Sequence, residues 1–223
     1  MNKSLRSWLI ACAINVICVL ISIRYFDHPI ADFLEQHFRH TEGWRFLSLA
    51  LEPVKIVALA APLFLFWTGL HRDGKWIKTA LVLAWAEVWA LATEFVFKQI
   101  FGRAWPEPTY IRDHLDGFRW LHAGDGWMSF PSGHALSSFA LAAVFWYAIL
   151  RRRRPVLAVA AMVSAAMVLC NYHWLSDVIA GSFLGWTIGW ITAMAPSASD
   201  SKYPSADRLG SDSPSAESSN RGG

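Results

Sequence analysis

Six apolar runs dominate this chain: Trp8–Ile23, Pro53–Leu70, Ile77–Phe97, His134–Leu150, Pro155–Leu175 and Val178–Ala195. Roughly 17–21 residues is the length a helix needs to cross the hydrocarbon of a bilayer. Hydrophobic residues make up 54% of the 223, with thirteen Trp, so a water-soluble helical protein would lack the polar surface to cover these runs. The sequence therefore predicts an all-α fold, a six-transmembrane-helix bundle over residues 1–195 with the lipid bilayer as its surroundings. From Pro196 onward the chain is Ser, Asp, Pro and Gly with few apolar residues, which predicts a disordered cytoplasmic tail over 196–223.

The basic N-terminal stretch before Trp8 has the look of a secretion signal. Arg24-Tyr25-Phe26-Asp27 follows the run in place of a small-residue cleavage site, so it reads as an uncleaved first span. Cys12, Cys18 and Cys170 all fall inside predicted spans and have neither disulfide nor metal spacing. The net charge of +3 is carried beside the runs, without the aromatic-interleaved basic patch that nucleic acid binding requires. No nucleic acid partner is expected, and oligomeric state is left open.

Arg151-Arg152-Arg153-Arg154 lies between the fourth and fifth runs, which favours the cytoplasmic side for that connection. Six spans then place both termini and the His71–Lys78 connection inside. The segments Arg24–Glu52, Lys98–Pro131 and Asn171–Asp177 fall on the opposite, outer face. Ile30, Phe33, Leu34 and Phe38 recur at helical spacing opposite Asp32, Glu35 and Arg39, predicting an interfacial helix in the first outer connection. Trp105, Tyr110, Trp120 and Trp127 in the second resemble an interfacial aromatic belt.

The residues with chemistry lie in those outer segments or within a few residues of them. Pro131-Ser132-Gly133-His134 opens an apolar run, and a Ser-Gly turn at a helix start offers backbone N–H groups to an anion. His173 and Asp177 are four apart, so on a helix the carboxylate can orient the imidazole as a nucleophile or base. His134 is placed to protonate a leaving alkoxide. Lys98, Arg103, the Ser132 hydroxyl and the Ser132 and Gly133 amides can stabilise charge on a transferring phosphoryl group. Glu94, one turn before Lys98, either orients the ammonium or neutralises it. The catalytic set is thus His173, His134 and Asp177, with Lys98, Arg103, Ser132 and Gly133 binding phosphate, and no metal or cofactor.

These motifs resemble the type-2 phosphatidic acid phosphatase superfamily, the membrane lipid-phosphate phosphatases related to vanadium-dependent haloperoxidases. The likeness covers roughly Lys98 to Gly181. Phe130-Pro131-Ser132-Gly133-His134 matches the middle motif fully, and His173 and Asp177 stand at the spacing of the last. The resemblance implies a nucleophilic His173 that forms a phosphohistidine, oriented by Asp177, with His134 as acid and base. It also implies departures. Trp105, before Pro106, stands where the first motif has an Arg, and Met167 where the third has one six residues before its His. Arg103 is expected to assume one lost role, and Arg112, Arg119 or His122 the other.

The expected function is an integral membrane phosphatase acting on a lipid phosphate or diphosphate at the periplasmic face of a bacterial inner membrane. Isoprenoid diphosphates, phosphatidylglycerophosphate, phosphatidate and lipid A phosphates all fit. The rival readings are a lipid phosphotransferase using the same phosphohistidine and a catalytically silent transporter or binding protein. A zinc enzyme using His134, His173 and Asp177 is a further rival.

Overall fold

The structure, a computed structural model, describes residues 3–51, 53–71, 75–121, 124–149 and 154–195. Arg151–Arg153, His122 and the predicted tail lie outside the described residues. The elements in chain order are α1 (Lys3–Tyr25), α2 (Asp27–His37), α3 (Glu42–Leu51), α4 (Val54–His71), α5 (Lys75–Phe101), α6 (Gly133–Val144), α7 (Arg154–Leu169) and α8 (Leu175–Met194). π-helical turns lie at Pro106–Ile111 and at Phe145–Ile149, the latter prolonging α6. The fold is all-helical as predicted, with one isolated β-bridge, Arg103 to Phe118, among the described residues.

Among the described residues, two helices are long and apolar enough to cross a membrane, Ser4–Tyr25 and Ile77–Phe101. A bent pair, Glu42–Ala58 with Ala60–His71 at 45°, makes a third if taken as one span, and Arg154–Leu169 is apolar but shorter. The six predicted runs therefore do not map onto six uninterrupted spanning helices. The fourth changes to π-helical winding after Val144. The fifth stops at Leu169, where Asn171 takes φ 54° and the Tyr172 and His173 amides both turn back onto the Met167 carbonyl at 3.0 and 3.2 Å. His173 therefore sits in a connection instead of a helix. The outward face of α1 carries Leu9, Ile10, Ile14, Ile17 and Leu20, all exposed, an apolar surface suited to lipid.

The helix predicted in the first outer connection is α2, which follows α1 after the single residue Phe26. Leu34 is buried, Ile30 is half-buried and Phe33 is exposed, so the apolar stripe is split between bundle and surroundings. The adjacent α3 was not legible as a separate element.

At the centre α6 and α8 pack backbone to backbone. Gly181, Gly185 and Gly189 recur every fourth residue on α8, each facing the α6 main chain. A Cβ on them would lie 2.5, 2.1 and 2.2 Å from the carbonyl oxygens of Ser132, Leu136 and Ala140. Small residues at this spacing let helices approach where lipid supplies no hydrophobic drive. This contact locks the N-terminus of α6 beside that of α8, with the Ser132 amide donating to the Asp177 carbonyl at 3.1 Å. Gly185→Val is expected to destabilise the protein by about 1–3 kcal/mol or more through overpacking, measured by thermal unfolding in detergent. An unchanged Tm would contradict the packing.

Candidate active site

The end of α1, the end of α5 and the beginnings of α6 and α8 meet at one end of the bundle. The three outer segments of the sequence reading are thereby brought together. A cavity of about 240 Å³ opens there, lined by Glu94 and Lys98 of α5, Trp105, Gly133 and His134 of α6, Met167 of α7, Tyr172 and His173. Of the predicted site residues, Lys98, Gly133, His134 and His173 line it. Asp177, Ser132 and Arg103 lie behind its wall.

Asp177 is fully buried in the first turn of α8, where its Oδ2 accepts from the Trp174 amide at 3.2 Å and caps the helix. The same oxygen accepts from Ser129 Oγ at 2.5 Å and faces His173 Nδ1 at 3.6 Å. Ser129 Oγ also lies 3.5 Å from that nitrogen. The carboxylate thus orients the imidazole partly through Ser129, a residue the sequence reading missed. Burial pushes the His173 imidazole below its usual value of 6.5, and the opposing pull of Asp177 does not reverse this. The imidazole is therefore neutral near pH 7, the state a nucleophile requires. The acid limb of a kcat/KM–pH profile, which reports the free protein, is expected to fall below 6.5. A limb above that value would contradict a buried neutral nucleophile.

Two predicted phosphate ligands, Arg103 and Ser132, are buried and do not line the cavity. Arg103 is only 3% exposed, and its fork is divided between two carboxylates. Nη2 donates to Asp27 Oδ2 at 2.6 Å, while Nη1 donates to Asp177 Oδ1 and Ser176 Oγ, each at 2.5 Å. Phe118 and Trp174 cover its faces. The guanidinium therefore points into the protein, because Asp27 from α2 reaches it first. Ser132 is likewise buried. Its Oγ accepts from the Ala135 amide at 3.5 Å as the N-cap of α6, and its own amide is committed to Asp177.

Glu94 lies against the start of α6. A Cβ on Gly133 would lie 2.1–2.4 Å from the carboxyl atoms of Glu94, so that carboxylate packs against the first residue of α6 in space only a glycine leaves. Lys98 Nζ binds Glu94 Oε1 at 2.7 Å. Glu94 thus does both things the sequence left open: it positions the ammonium and neutralises it.

Trp105 and Met167 do line the cavity, Trp105 with its ring 5.2 Å from that of His173 and 5.8 Å from Lys98 Nζ. Of the expected substitute cations, Arg112 and Arg119 do not line the cavity, and His122 lies outside the described residues. Arg112 pairs with Glu107 at 2.8 Å in an exposed position, and Arg119 stacks on Trp127 at 3.8 Å. No group of three or more metal-ligating side chains occurs among the described residues.

Comparison with protein families finds a match to the PAP2 superfamily over residues 79–200, more than half of the chain. The match spans every residue lining the cavity. Neither curated proteins nor solved structures yield a match.

Proposed function

This chain belongs to the PAP2 superfamily, and on that premise we propose that it is a membrane-embedded phosphatase acting on a lipid phosphate or diphosphate. The superfamily generally hydrolyses phosphate esters, and the apolar helices associate the chain with a membrane. The observation that carries the reading is the joint placement of His173, His134 and Lys98 around one cavity beside the start of α6. In the proposed reaction His173 Nε2 attacks phosphorus, with Asp177 and Ser129 behind Nδ1. The P–O bond to the lipid breaks, and His134 gives its proton to the departing alkoxide. Water, deprotonated by the same His134, then attacks the phosphohistidine and releases phosphate. Lys98 and the Gly133 amide neutralise charge on the equatorial oxygens.

In the same reading the chain crosses the bacterial inner membrane six times as one domain, with the cavity on the periplasmic side. The charge distribution around Arg154 supports that orientation. The test is phosphate release by the detergent-purified protein from phosphatidate, phosphatidylglycerophosphate, an isoprenoid diphosphate and a lipid A phosphate, with chelator present. Release from at least one, inhibited by vanadate, is expected. No release from any, or release only on adding zinc, would overturn it.

A further inference from the structure

We propose that Asp27 is a positioning residue for the nucleophile: through Arg103 it sets how Asp177 faces His173, and so the basicity of that imidazole. The inference rests on the reading of His173 as nucleophile. Asp27 opens α2, 150 positions before Asp177 in the sequence and outside the segment matched to the family. It is 1% exposed. Its carboxylate accepts from Ser22 Oγ at 2.8 Å, from the Ser176 amide at 3.0 Å and from Ser176 Oγ at 2.5 Å, besides Arg103.

Burying two carboxylates around one guanidinium is costly, and a single pair would serve structure as well. The second carboxylate has a geometric effect. A guanidinium facing one carboxylate tends to bind both its oxygens. Asp27 holds Nη2, so Arg103 reaches Asp177 through Nη1 and Oδ1 alone. Oδ2 is left to Ser129, the Trp174 amide and the His173 ring. It also has an electrostatic effect. With Asp27 the cluster carries one net negative charge opposite the imidazole; without it the cluster is neutral. From the other sides His173 faces Lys98 and Glu94 of α5 and His134 of α6, none of which changes when Asp27 does.

The experiment is Asp27→Asn in the full-length protein in detergent, which keeps the shape and removes the charge. The His173 ring is titrated by NMR on isotope-labelled histidine, its signal assigned by its disappearance in His173→Ala. In Asp27→Asn the ring is expected to titrate at lower pH than in the parent, and the acid limb of the pH–rate profile to move with it. Where activity is measured, kcat should fall about tenfold with KM unchanged. An unmoved titration, whatever the change in Tm, would make Asp27 merely structural and overturn the proposal. If Asp27→Asn does not fold, Ser176→Ala removes the hydroxyl bridging Asp27 and Arg103. A smaller shift in the same direction is then expected, and no shift overturns the proposal. The titration needs no substrate, so a failure to find phosphatase activity would be seen separately.

Discussion

Replacing His173 with alanine is expected to abolish turnover while leaving the fold intact. The ring sits in the connection after α7, 4% exposed, with one face toward the cavity and Trp105. Its loss removes the only nucleophile proposed, and removal of such a group elsewhere costs on the order of ten-thousand-fold or more in kcat. The cavity left would be modest, because Ser129 and Asp177 keep their mutual bond and Asp177 keeps Arg103. Tm is expected within a few degrees of the parent. Full activity in a well-folded His173→Ala protein would remove the mechanism.

Arg103→Ala is expected to act on stability before activity. The sequence alone made Arg103 a phosphate ligand, for which the substitution would raise KM and leave Tm alone. In the structure the side chain is the cation between two buried carboxylates. Removing one member of a buried ion pair costs about 3–5 kcal/mol, because the charge left behind has no compensation. Here two are left, Asp27 and Asp177, bridged only by serine hydroxyls and amides. Thermal unfolding should show a large drop in Tm, or no folded protein at all. A folded variant of parental Tm with raised KM would restore the earlier assignment.

The all-helical fold and the gathering of Arg24–Glu52, Lys98–Pro131 and Asn171–Asp177 at one end of the bundle were legible because the length and order of hydrophobic runs are one-dimensional signals. The positions of Lys98, Gly133, His134 and His173 followed from short motifs whose spacing survives folding. Helix interruptions were less visible. Nothing in the apolar run Pro155–Leu175 marks Leu169 as its last helical residue, since the turn is made by Asn171 and by bonds to the Met167 carbonyl. The every-fourth-residue spacing of Gly181, Gly185 and Gly189 is a sign of close helix packing that a sequence carries openly. The hardest part was Arg103. Its partner Asp27 lies 76 residues earlier, at a membrane boundary where a charge is ordinarily read as solvated. Only the contact of Asp27 at the start of α2 with Ser176 at the start of α8 brings the two together. Glu94 was seen as a neighbour of Lys98, but that its carboxylate rests on Gly133 depends on how α5 meets α6.

That last contact sharpens the question for substrate binding. In the proposed reaction a phosphate reaching His173 meets Lys98 already paired with Glu94 at 2.7 Å and competes with that carboxylate for the ammonium.

The central claim is transfer of phosphorus to His173, and the most direct measurement is rapid alkaline quench of the purified protein with radiolabelled lipid phosphate. The predicted result is a label on the protein that survives alkali, is lost in acid, maps to His173 and is missing from His173→Ala. Phosphate release without any such label, or a label of equal intensity in His173→Ala, would contradict the account.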